Sequence, residues 1–109
     1  MEKGEIWIVE FPIKQGREQS GKRPSIVIAD TKTSIVLIIP LTSNLESLEK
    51  LPHTLEIKKS GKNNLEKDSV ALTFQLQALD KRRFVSKIGD LENYYMQEIN
   101  RILRDLLKI

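Results

Sequence analysis

Gly4-Glu5-Ile6-Trp7-Ile8-Val9-Glu10-Phe11 is a run of aromatic and branched side chains with only two acids inside it. Read with the two-residue period of a strand, Trp7, Val9 and Phe11 share one face while Ile6 and Ile8 share the other. Both faces are apolar, as in a strand buried on both sides. Beyond Pro12 and a polar loop, Ser25 to Ala29 and Ser34 to Ile39 read as two further apolar strands, joined through the hairpin turn Asp30-Thr31-Lys32-Thr33. The third strand runs out through Pro40 and Leu41 into Thr42-Ser43-Asn44, and Leu45 to Leu51 has room for one short helical turn.

His53 to Lys58 and Ser69 to Leu79 are the next strand candidates, separated by the turn-like Ser60-Gly61-Lys62-Asn63-Asn64. In the second, alternation puts Val70, Leu72, Phe74 and Leu76 on a core face and Thr73, Gln75 and Gln77 on a wet one. Arg83 to Ile88 reads as a last short strand ended by Gly89. From Asp90, an expected N-cap, the period changes: Leu91, Tyr95, Ile99, Ile102, Leu103 and Leu106 make the apolar stripe of an amphipathic helix. Short strands in succession followed by one helix predict a mainly β domain, a small twisted barrel or sheet capped by the C-terminal helix.

At 109 residues the chain fits one compact domain, residues 1–109, with no internal repeat or linker. There is no cysteine and a single histidine, so disulfides, thiolate metal sites and histidine metal clusters are excluded, and metal-independent chemistry without a cofactor is the expectation. No apolar run is long enough to span a bilayer, and the first residues alternate like a strand instead of forming a signal peptide, so no membrane association and a cytoplasmic location are expected. A net charge of +3 and a pI near 9.2 permit nucleic-acid binding without demanding it.

Charge is concentrated in Gln15-Gly16-Arg17-Glu18-Gln19-Ser20-Gly21-Lys22-Arg23-Pro24, with three cations against one acid. Such a loop attracts phosphate, and Pro24 pushes Arg23 towards an extended backbone just ahead of the second strand. On its own it reads equally as a solvated hairpin loop. His53, beside Pro52, reads as structural or exposed, and Lys81-Arg82-Arg83 as a solvated corner with phosphate contact as a secondary reading. The two loop glycines match neither a P-loop nor a dinucleotide fingerprint, because no helix pattern follows them.

Three separated motifs in one order carry a resemblance over residues 1 to 90: Gly4–Phe11, Glu18-Gln19-Ser20-Gly21-Lys22-Arg23-Pro24, and Pro40-Leu41-Thr42-Ser43. A fourth is Gln75-Leu76-Gln77-Ala78-Leu79-Asp80-Lys81-Arg82-Arg83-Phe84, before Ile88-Gly89 and the helix. Together they resemble the MazF/PemK family of toxin endoribonucleases. The resemblance implies an SH3-like β-barrel with an added helix, a homodimer, a cognate antitoxin protein as partner, and metal-independent cleavage of single-stranded RNA at short motifs through attack of the ribose 2′-hydroxyl. It places the catalytic arginine on Arg23 and the catalytic hydroxyl on Thr42, with Glu18 and Gln19 on loop positions that shape the RNA site and Gln75 on a polar position near it. On chemical grounds Glu18 is read as the base, and Arg17, Lys22, Ser43 and Gln77 as further RNA contacts. Some members carry a basic residue where this chain has Gln77, so RNA sequence preference does not carry over. Two other readings stand beside the enzyme: a noncatalytic barrel that docks to a protein target, as gyrase-poison toxins of related fold do, and an RNA-binding barrel without turnover. A docking toxin has no need of Arg23 and Thr42 together, which favours the enzyme.

Overall fold

The computed structural model describes residues 1–12, 21–45 and 51–109. The loop positions Arg17, Glu18 and Gln19, and most of the segment expected to form a helical turn, lie outside the described residues. Among the described residues seven strands are formed, β1 Glu5–Phe11, β2 Gly21–Asp30, β3 Ile35–Thr42, β4 Thr54–Ile57, β5 Ser69–Leu72, β6 Gln77–Asp80 and β7 Phe84–Asp90, followed by helix α1 Asn93–Leu107. They pair in the order β4-β5-β3-β2-β1-β7, with β6 also on β3, and every pairing is antiparallel. The protein is therefore mainly β with one C-terminal helix, as the pattern predicts. Among the described residues the sheet is open, with β4 and β7 at its ends, and does not close into a full barrel.

The central strands bury both faces. Ile6, Ile26, Ile39 and Leu41 pack with Leu91, just ahead of the helix, and with Ile99 and Leu103 of α1, while Val9, Phe11, Val27, Val36 and Ile38 pack on the other side with Leu79, Trp7 and Phe84. Adjacent residues such as Ile38 and Ile39 serve opposite clusters, which is the strand period made physical. Each fully buried side chain of this size contributes about 1.5–3 kcal/mol, so both layers are needed for so small a domain. Trp7 meets Phe84 edge to face, with ring centroids 5.9 Å apart.

Three expectations change. The strand expected over Ser69 to Leu79 is broken: β5 stops at Leu72, a 3-10 turn covers Thr73–Gln75, and β6 restarts at Gln77. The cause is β3, which pairs with both pieces. Ala71 lies opposite Leu41 and Gln77 opposite Ile38, so six steps on one side match three on the other. The turn takes up the surplus and reverses the faces: Thr73 is buried and Phe74 is 40% exposed. Gly89 does not end the last strand but lies within it, opposite Ile6. Asp90 is not the helix cap; it ends β7, where its carboxylate pairs with Lys87 at 3.1 Å, and Glu92 occupies the cap position.

The β2–β3 turn is pinned by Asp30. Its carboxylate accepts from the Lys32 backbone N–H at 2.9 Å and pairs with the Met1 ammonium at 3.2 Å and with Lys81 at 3.3 Å. These contacts, the Lys32 N–H foremost, hold its pKa down to about 2. A depressed carboxylate pKa stabilises the fold above the unfolded value near 3.8 and loses that contribution as pH falls through about 2. Asp30→Asn is accordingly expected to lower the thermal midpoint at neutral pH, with the gap to the parent closing between these two values. A gap independent of pH overturns this account.

Candidate RNA site

Three elements meet around a cavity of about 490 Å3. Strand β2 brings Lys22, Arg23 and Pro24, and the end of β3 brings Leu41, Thr42 and Ser43. The connection from β4 to β5 adds Asn64, Leu65, Glu66 and Lys67, with Ser69 at the start of β5. Ile8 and Ile88 complete an apolar floor. The size falls in the range of small-ligand clefts.

Arg23 is half-buried and held extended on β2, opposite Val9 of β1, as a residue preceding proline should be. Its guanidinium lies 6.0 Å from the Phe11 ring centroid, and burial lowers its pKa from the ordinary arginine value. A guanidinium stays charged under such a shift and offers a fixed fork of donors. Thr42, opposite Val70 of β5, is 9% exposed. Its Oγ1 accepts from the Asn44 backbone N–H at 3.2 Å, a bond that does not use the hydroxyl's own proton. That bond caps the strand end and orients the hydroxyl at once.

Of the residues expected at the site, the structure brings Lys22, Arg23, Thr42 and Ser43 to one cavity. Arg17, Glu18 and Gln19 lie outside the described residues. Gln75 and Gln77 are not part of the cavity lining; Gln77 instead donates to the Gln75 carbonyl at 3.2 Å, within the break between β5 and β6. The basic corner is also elsewhere: Lys81 pairs with Asp30, and Arg82 lies 3.8 Å from Asp80. His53 is not part of the cavity lining; its Nε2 lies 3.3 Å from Asp105 on α1.

The wall formed by Asn64 to Lys67 is absent from the expectation. The signal available for it was Leu65, the single large apolar side chain between Lys58 and Asp68, which is 6% exposed and anchors the connection in the core.

The model of the family described as the PemK-like, MazF-like toxin of type II toxin-antitoxin systems matches residues 2–107. An endoribonuclease MazF from Staphylococcus saprophyticus is 35% identical over 103 residues, covering 92% of this chain and 85% of that protein. MazF from Deinococcus radiodurans superposes with a TM-score of 0.80 at 22% identity, over 100% of this chain and 97% of that one. A mycobacterial endoribonuclease solved in complex with its cognate antitoxin gives a TM-score of 0.72 at 16% identity, over 98% and 94% of the two chains. The structural matches establish the fold alone. With the family model spanning nearly the whole chain and a curated relative above one-third identity, the chain belongs to the PemK-like, MazF-like toxins of type II toxin-antitoxin systems and is an endoribonuclease of that family.

Proposed function

We propose that this toxin cleaves single-stranded RNA at the cavity between β2, β3 and the β4–β5 connection, with Arg23 and Thr42 acting on the scissile phosphate. The observation that carries the reading is that these two residues, 19 positions apart in the chain, line one cavity together with Lys22. In the reaction the ribose 2′-oxygen bonds to the adjacent phosphorus, its proton passing to a base, while the bond to the 5′-oxygen breaks and that oxygen takes up a proton. The products are a 2′,3′-cyclic phosphate and a 5′-hydroxyl. Negative charge grows on the nonbridging and leaving oxygens. The Arg23 fork stabilises it and the Thr42 hydroxyl donates to a phosphate oxygen. Proton delivery to the leaving oxygen is a second role for Arg23, behind charge stabilisation. Glu18 is assigned the base, and Arg17, Gln19, Lys22, Ser43, Gln75 and Gln77 the strand contacts.

The test is sequencing of RNA ends after incubation of the purified protein with a transcript in EDTA. Fragments with 5′-hydroxyl and cyclic phosphate ends at a short recurring motif are expected. Ends bearing 5′-phosphate, or cleavage that stops in EDTA, would overturn the mechanism.

The toxin works, in this reading, as a cytoplasmic homodimer restrained by its own antitoxin. The antitoxin complex of the mycobacterial relative supports such a partner, and a symmetric dimer would extend the RNA surface across two copies. Light scattering that shows only monomer where RNA is cleaved would remove the dimer. The basic loop suits an acidic, partly apolar antitoxin segment that competes with RNA phosphate. Charge reversal at Arg17 and Lys22 is expected to weaken inhibition more at low salt than at high salt. Unchanged affinity for the antitoxin across a salt series would move the docking surface to another face.

A further inference from the structure

We propose that Lys67 is an RNA-phosphate-binding residue, holding the strand beside the scissile phosphate; the proposal rests on the reading that RNA is cleaved in this cavity. RNA carries one negative charge per nucleotide, so a strand engaged by Arg23 and Thr42 must place its neighbouring phosphates along the cavity walls. The β2 wall offers Lys22, and the wall contributed by the β4–β5 connection offers Lys67.

This connection is rigid where it matters. Asn63 is fully buried, its Oδ1 accepting from the Ser60 and Leu65 N–H groups and its Nδ2 donating to the Lys58 carbonyl and to Glu92 at the start of α1. The Ser60 hydroxyl donates to the same Glu92 carboxylate at 2.8 Å. Asn64 adopts φ 54° and donates through Nδ2 to the Ile88 carbonyl at 2.7 Å, tying the loop to β7. Beyond Leu65, the Asp68 carboxylate accepts from the Lys59 N–H at 2.9 Å and the Ser69 hydroxyl donates to the Lys67 carbonyl at 2.9 Å.

The Lys67 backbone is thus fixed on both sides while its side chain is exposed in the cavity lining. Among the described residues it forms no ion pair, not even with the adjacent Glu66, whereas Lys81 and Lys87 each pair with a carboxylate. A cation on a fixed backbone, with no carboxylate partner among the described residues and beside the residues placed at the scissile phosphate, is available to an anion. A lysine provides a point charge and no base reading, so the contact serves affinity and not sequence choice.

The experiment first maps the cleaved motif with the unaltered protein. It then measures binding of a fully 2′-O-methylated RNA of that motif across a salt series. Lys67→Gln is expected to bind on the order of tenfold more weakly at low salt, with a log–log salt slope shallower by about 0.7, the value for one lost single-strand phosphate contact. On cleavable RNA, KM should rise while kcat stays within about twofold. Lys67→Arg should restore the slope, and Lys62→Gln, which removes the same charge from the same connection outside the cavity lining, should leave it unchanged. If Lys67→Gln matches Lys62→Gln or the parent in slope, Lys67 is not a phosphate contact. If the parent leaves RNA intact, it is the cleavage reading that fails.

Discussion

Arg23→Ala is expected to slow RNA cleavage by roughly two to three orders of magnitude, the usual cost of removing one donor aimed at developing negative charge. The loss should appear in kcat more than in KM, because the guanidinium is needed most where charge has grown. The fold should survive, since Arg23 is only half-buried. Arg23→Lys should recover only part of the activity: an ammonium keeps the charge but not the fork that meets two phosphate oxygens together. Thr42→Ala should cost about a hundredfold, with a small stability loss from the freed Asn44 N–H. Because both residues are assigned to the same phosphate, the double variant should fall well short of the product of the single effects. Parent-like turnover in either single variant, with folding verified by circular dichroism, would remove the assignment.

What the sequence shows of this protein depends on whether the relevant signal is local. The alternation of Ile6 against Val9 and Phe11 and the stripe from Leu91 to Leu106 describe β1 and α1, because in each case a face of the element meets the same cluster along its length. Ser69 to Leu79 carries the same alternation and yet breaks, because a period of two specifies faces only while the strand keeps one register with its partner. The three-residue surplus against β3 is a property of two segments together, and neither contains it alone. The site divides along the same line. Motif order points to Arg23 and Thr42, which the structure brings to one cavity, while the wall from Asn64 to Lys67 is hidden in a stretch with the composition of an ordinary turn. Asn63 looks solvent-facing by residue type and is instead fully buried, because Glu92, 29 residues later, supplies a partner that no local pattern announces.

Gly89→Ala is expected to produce the largest stability loss of any single methyl added to the glycines among the described residues. Gly89 sits in β7 with Asn63 and Lys62 against it: a Cβ there would lie 2.5 Å from the Asn63 carbonyl oxygen and 2.6 Å from that of Lys62. Both obstacles are backbone, so no rotamer change relieves them. Either β7 shifts against β1, where Gly89 faces Ile6 in the core, or the connection carrying Asn63 lifts away. Lifting would strain the Asp90 N–H bond to the Lys62 carbonyl, 3.1 Å long, and the Asn64 bond to Ile88. Overpacking of a well-filled core ordinarily costs 1–3 kcal/mol, and a clash with backbone belongs at the upper end, about 3 kcal/mol. For a domain of this size that lowers the thermal midpoint by on the order of 10 °C. Gly61, on the same connection, has nothing within 4 Å of an added Cβ, so Gly61→Ala is the matched control and should move the midpoint little. Thermal unfolding followed by circular dichroism separates the two, and a Gly89→Ala midpoint within about 2 °C of the parent would show that the connection yields without cost. If instead the domain stays folded at low temperature with its Asn63 knot displaced, the loss should extend to the RNA site, because Asn64 to Lys67 line the cavity only while Asn63 is held against β7 and the start of α1.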